Sequence, residues 1–260
     1  MASLLLPISP DDDINKILPA VKQIAGFTDY TIIPFTYKIS GKKYRTQTNS
    51  NAGNIRSSEN DLFKTIHSFL FPNDDDIALV VISPQVINLQ SRNKATHFFS
   101  KFRNLQVPYL VLPDKPEDTW HPKEIYFPVC LKDGEKEASA WAGFWSRTFE
   151  AKLHLLNPHF RNKTTNQYLQ RTMAFIRNLL QKSNVSYDIS SDGHTRKEAR
   201  QKALELAKNS PDTLIVMPAT RLNSPEYVFI GPPEIRLLKN RGNTPVLFVN
   251  PRHDMYVPCG

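Results

Sequence analysis

The residues best placed to do chemistry lie between Pro211 and Asn250. Two short apolar runs, Thr213–Met217 and Pro245–Val249, bracket a polar loop, Pro218–Ile230, and a segment with helical spacing. A loop that leaves a buried strand and feeds a helix is where backbone N–H groups and an arginine such as Arg221 can meet an anion. Other reactive side chains are scattered. Cys130 ends an apolar run, and a thiol there could be reactive, although a small buried hydrophobe is the commoner role. His154 and His159 flank Asn157-Pro158 without a Cys or carboxylate nearby, which suits a strand-face and a loop histidine better than a metal pair. Ser191-Asp192-Gly193-His194 reads as a turn and helix cap. Asp74-Asp75-Asp76 reads as a turn before a strand, and the tail from His253 to Cys259 as a packed or frayed end. No catalytic triad, P-loop or paired-carboxylate arrangement stands out, so the expectation is a protein that is not an enzyme and holds no metal.

The elements that must position these residues follow from periodicity. Apolar runs of five or six residues without polar alternation suit strands buried on both faces, hence a parallel sheet. In the first half these are Leu4–Ser9, Tyr30–Ile39, Ile77–Ile82 and Pro108–Leu112. Asp11, Asp12 and Asp13 can cap a helix carrying Ile14, Ile17, Leu18, Val21 and Ile24, with Pro19 as a flaw inside it. Gly41-Lys42 could turn Tyr30–Ile39 into a hairpin with Tyr44–Thr48. Leu62 to Leu70 and Asn93–Leu105 read as helices. Pro113–His121 is proline-rich and charged, as a linker would be. The second half starts over: strands at Ile125–Leu131, Leu153–Leu156, Val185–Ile189, Thr213–Met217 and Pro245–Val249 alternate with helices. Trp141 and Trp145 fall on one helix face as core, and Tyr168–Lys182 and Thr195–Lys208 are further helices. The segment with Ile235, Leu237 and Leu238 ends on Lys239, Arg241 and Gly242, the cations and glycine a helix end favours.

The halves repeat each other. Leu5–Ser9 matches Tyr126–Cys130 at an offset of 121, and Val107–Val111 matches Thr244–Phe248 at an offset of 137. The first half is therefore shorter, and the missing length falls around residues 40–58. The expected fold is α/β: two Rossmann-like α/β/α sandwiches in tandem, residues 1–113 and 124–260, joined by a linker at 114–123. The second has a mostly parallel five-stranded sheet and the first a trimmed one.

Ile125–Pro158 and Val228–Pro251 resemble the opening and the close of the universal stress protein family, and the likeness extends over most of the chain. The resemblance implies a fold like that of the adenine nucleotide alpha hydrolases, often dimeric through the last strand. Some members bind ATP through G-x2-G-x9-G-[S/T] together with an Asp ending the first strand. Laid on this sequence, Gly231 fits the last glycine, but Arg221 and Pro218 stand where the other two belong, and Pro232 stands at the hydroxyl position. The Asp position is Cys130, and Ser9 in the first half. Between Val80 and Pro113 there is no glycine. Proline removes N–H donors and fixes φ, so the cradle that glycines make for phosphate is broken. ATP bound in the family's manner is accordingly not favoured, and no other cofactor is expected.

Among the 260 residues, 1–120 carry 13 Lys/Arg against 12 Asp/Glu, and 121–260 carry 20 against 13. The excess is spread along helices without aromatic interleaving, so a solvated basic face is the expectation and nucleic acid is disfavoured. No apolar run nears the roughly 18 residues of a membrane span. The start lacks a basic leader, and two cysteines fit a reducing compartment, so the cytoplasm is expected. The leading reading is a non-catalytic stress-response or regulatory module acting on a protein partner or self-associating through its closing strands. The alternatives are an ATP-binding switch of the same fold, and a polyanion or nucleic-acid binder using the basic second half.

Overall fold

The apolar runs become the strands of one sheet. In a computed structural model, the residues described are 2–39, 55–71, 76–117, 120–131, 134–190, 195–208, 212–220 and 231–250. The first half supplies β1 (Ser3–Ile8), α1 (Ile14–Thr28), β2 (Thr31–Thr36), β3 (Arg56–Ser57), α2 (Leu62–Leu70), β4 (Ile77–Ile82), α3 (Pro84–Ile87), α4 (Arg92–Phe102) and β5 (Tyr109–Val111). The second supplies β6 (Glu124–Pro128), α5 (Glu135–Thr148), β7 (Lys152–Leu156), α6 (Lys163–Lys182), β8 (Tyr187–Ser190), α7 (Arg196–Lys208), β9 (Thr213–Pro218), α8 (Pro233–Asn240) and β10 (Val246–Val249). Side-chain caps fix several helix starts. Asp61 Oδ1 accepts from the N–H groups of Phe63 and Lys64, both at 3.0 Å, and Asn162 Oδ1 from Thr165 N–H at 3.0 Å. Helix α1 runs through Pro19, which removes one donor near the start without ending the helix.

The ten strands lie in the order β3-β2-β1-β4-β5-β10-β9-β6-β7-β8. Each half thus repeats one strand order outward from a shared seam. All pairings are parallel except that seam, where β5 and β10 run antiparallel. Its register is informative: Leu110 faces Leu247, Tyr109 faces Phe248 and Val111 faces Val246. At the repeat offset of 137, Leu110 and Leu247 are equivalent residues, so a local two-fold axis passes between them. The two closing strands therefore satisfy each other inside the chain, and neither is a free edge for a second copy.

Two cores flank the sheet. One packs α1, α5 and α6 on alternate residues of the strands, including Leu4, Leu6 and Ile8 of β1 and their repeat equivalents Ile125, Phe127 and Val129. The other packs α2, α4, α7 and α8, with Phe99, Phe102, Tyr109 and Phe248 at its centre. On the first face the second half has two helices and the first half only α1. Among the described residues the first half has no counterpart of α6, and β3 has two residues. The expected strand Tyr30–Ile39 is shorter, Thr31–Thr36, and its expected hairpin partner 44–48 lies outside the described residues. Trp145 is in the core as expected, whereas Trp141 is only half-buried, against Phe144. The stretch expected as a linker is held down in its described part. Trp120 is buried against Trp145 and Phe149, and the Lys115 carbonyl accepts from Asn243 Nδ2 at 3.0 Å.

Candidate functional site

The carboxyl ends of β6 and β9, where a ligand would sit in a doubly wound sheet, are occupied largely by the chain's own carboxylates. Cys130 follows β6 and is fully buried. Its N–H donates to Glu135 Oε1 at 3.0 Å, and Glu135 is the first residue of α5, where a carboxylate suits the helix dipole. Its sulfur receives a hydrogen bond from Arg200 Nε at 3.3 Å, reaching over from α7. The first half repeats the device. Ser9 N–H donates to Asp12 Oδ2 at 2.6 Å, and Ser83, just after β4, donates its hydroxyl to Asp12 Oδ1 at 2.6 Å. Burial pushes the Asp12 carboxyl above its usual range, against the opposing effect of the Ser83 and Ser9 hydrogen bonds. The aspartates at 11–13 thus divide their work: Asp13 caps α1 through Asn15 N–H, and Asp12 turns inward.

After β9 the pattern is stronger. Pro218 ends the strand, Pro232 precedes α8 in the N-cap position, and both are buried. Between them Thr220 N–H donates to Glu234 Oε1 at 2.7 Å, while Glu234 Oε2 takes Arg103 Nη2 at 3.0 Å. Arg103 comes from the turn after α4, so this buried pair joins the two halves. Gly231 keeps the left-handed backbone that the motif's last glycine needs, φ +84°, and a Cβ there would stand 3.6 Å from Arg92 Nη2. Of the sequence-predicted positions, Pro218, Gly231 and Pro232 line one cleft. Cys130 adjoins it only through Arg200. Arg221 lies outside the described residues, as do 191–194, 253–259 and the acidic run at 74 and 75.

That cleft, ≈ 830 Å³, runs between α7 and α8 beneath the N-terminus of α4. Leu204, Met217, Ile235, Leu237 and Phe248 form its apolar part. Among the described lining residues, Arg92, Lys197, Arg200, Lys208, Arg236 and Lys239 supply six basic groups, against Glu205 and Glu234. Sequence reading missed Arg92, Arg103, Thr220 and Glu234 because their partners lie far along the chain or answer to no local spacing. It also missed Glu124, whose carboxylate meets His154 Nε2 across the β6–β7 pair, with Tyr126 stacked on the imidazole at 5.0 Å. Among the described residues no group of three or more His, Cys, Asp or Glu could hold a metal ion. No described helix is long and apolar enough to cross a membrane.

No protein-family model matches the sequence, and no curated protein matches it. Solved structures do match. A universal stress protein from Archaeoglobus fulgidus DSM 4304 is 10% identical, with a TM-score of 0.62 and 97% of each chain covered. A candidate universal stress protein from Pseudomonas aeruginosa UCBPP-PA14 is 15% identical, with a TM-score of 0.60, over 95% of this chain and 92% of that one. A functionally unknown protein from Pseudomonas aeruginosa PAO1 is also 15% identical, with a TM-score of 0.58, over 96% and 92%. At such identities the likeness is one of fold, and it spans nearly the whole chain. This chain has the fold of the universal stress proteins.

Proposed function

We propose that the protein is a non-catalytic stress-response or regulatory module of the universal-stress type, working in the cytoplasm on a protein partner, in which ATP binding of the family's kind has been lost. The observation that carries this is the Thr220–Glu234 hydrogen bond. An N–H of the loop that leaves β9 is donated to a buried carboxylate, itself neutralised by Arg103. Pro218 and Pro232 remove two more N–H donors from the same loop ends. A triphosphate entering there would find the Thr220 N–H already taken. Asp12 and Glu135 close the first-strand ends in the same way.

The test is native mass spectrometry of the gently purified, untagged protein, followed by a thermal-shift titration with ATP and Mg²⁺. Empty protein and an unmoved melting temperature are expected. A co-purified adenine nucleotide, or a saturating rise in melting temperature, would instead favour an ATP-binding switch of the same fold, which the positive φ of Gly231 makes the second reading.

A further inference from the structure

We infer that the groove between α7 and α8 binds a small amphipathic anion, with an apolar body against the groove floor and a carboxylate or phosphate-ester head at its basic rim. This deepens the regulatory reading, since such a ligand is what a module without ATP could sense, and it rests on that reading only for its biological meaning.

Three observations meet here. The volume, ≈ 830 Å³, lies within the range of about 300–1,000 Å³ typical of small-molecule sites. The lining is amphipathic in an ordered way. The sheet residues Met217 and Phe248 and the inner helix residues Leu204, Ile235 and Leu237 are apolar, while the exposed residues at the mouth, Lys197, Lys208, Arg236 and Lys239, are basic. The charge is local, not a reflection of the net +8. A second hollow of ≈ 510 Å³, across α8 on the side of α3, carries Asp11 and Asp114 with Lys239 as its one cation among its described lining.

Nucleic acid is a poorer match. Base stacking needs accessible aromatic faces along an extended track. The one aromatic residue in the described lining is Phe248, fully buried at the bottom of a concavity. ATP is a poorer match too, because Thr220 N–H is held by Glu234 and Pro218 and Pro232 bring no N–H.

The experiment is a fluorescence titration of the full chain with dansyl-undecanoate, which has an apolar body and a carboxylate head. Saturable one-to-one binding is expected. The double variant Lys208→Glu/Arg236→Glu reverses two exposed charges and should raise Kd about tenfold at low salt. Gln201→Trp, an exposed change on the groove wall, should abolish binding by filling the space. Circular dichroism keeps folding failure separate from loss of the site. Competition by oleate against lysophosphatidate then separates a carboxylate head from a phosphate ester, and displacement by either supports the site. No saturable binding, a Kd indifferent to both variants, or displacement only by ATP–Mg²⁺ or a single-stranded oligonucleotide would overturn it. The ATP titration described above reads the loss of nucleotide binding independently of this result.

Discussion

Buried carboxylates shape the strand ends of this molecule by accepting hydrogen bonds from backbone N–H groups. Asp12 accepts from Ser9 N–H and the Ser83 hydroxyl while burial raises its pKa. A carboxyl with a raised folded pKa holds its proton more tightly folded than unfolded. Its contribution is therefore fully present below the unfolded value of 3.8 and is lost as pH climbs through the folded one. Asp12→Asn keeps an acceptor for Ser9 and a donor for the Ser83 oxygen, without the charge. That variant should match or exceed the parent at pH 7 and fall to or below it at pH 4, in urea unfolding at the two values. Asp12→Ala, which strands the Ser9 N–H, should cost about 1–3 kcal/mol at either pH. Glu234 behaves differently because its partner is charged. Glu234→Ala leaves Arg103 buried without its carboxylate and should cost about 3–5 kcal/mol, with Arg103→Met/Glu234→Gln recovering part of the loss. If the double variant instead loses the sum of what Arg103→Met and Glu234→Gln lose singly, the pair does not act as a unit.

Elements were legible in the sequence where one physical rule acts on neighbours. Continuous apolar runs marked the buried strands, and the apolar stripes marked α1, α2 and α6. The repeat anticipated which residues share a face, since Leu4, Leu6 and Ile8 and their counterparts Ile125, Phe127 and Val129 enter one core. The site was half legible. Pro218, Gly231 and Pro232 were identified from a broken motif and do line the cleft, yet Glu234 reads as an ordinary helix residue until Thr220 is beside it. Arg103 is 131 residues from its partner, a separation that no periodicity reports. Close helix packing was equally silent. Gly143 of α5 lies against α6, where a Cβ would meet Leu180 Cδ2 at 3.0 Å. Alanine would gain about 1 kcal/mol of helix propensity. Leu180 is fully buried, so its displacement should cost more, about 1–3 kcal/mol. Gly143→Ala should thus lower stability by roughly 1 kcal/mol in equilibrium unfolding, and an increase would mean that the α5–α6 contact is looser than it looks.

At the scale of the whole molecule, the question is whether two repeat-related halves behave as two bodies or one. The seam β5–β10 has only three paired positions, too few to couple halves of this size by strand hydrogen bonds alone. The coupling comes from side chains that cross it. Arg241, at the end of α8, is buried and donates to the carbonyls of Val111 at 2.7 Å and Leu112 at 2.5 Å. Burial lowers its pKa to about 10, so it stays charged at neutral pH. Asn250 Nδ2 reaches the carbonyls of Phe102 and Val107 at 3.0 and 2.9 Å, and Arg103–Glu234 spans the same junction. Phe99, Phe102, Tyr109 and Phe248 form one aromatic cluster from both sides. Polar ties sealed beneath an aromatic cluster cannot open one half without stranding buried carbonyls in the other, so the halves should unfold together. Tryptophan fluorescence reports mainly on the second half and its approach, since Trp120, Trp141 and Trp145 are all there, while far-ultraviolet dichroism reports on both. The two probes should give one coincident urea transition in the parent protein. Arg241→Ala leaves the Val111 and Leu112 carbonyls without their donors and should cost about 1–3 kcal/mol while the transitions remain coincident. Should the two probes separate in the parent itself, the halves are independent domains and the crossing contacts are incidental to folding. Should they separate only in Arg241→Ala, that one guanidinium is what makes the ten-stranded sheet a single cooperative unit.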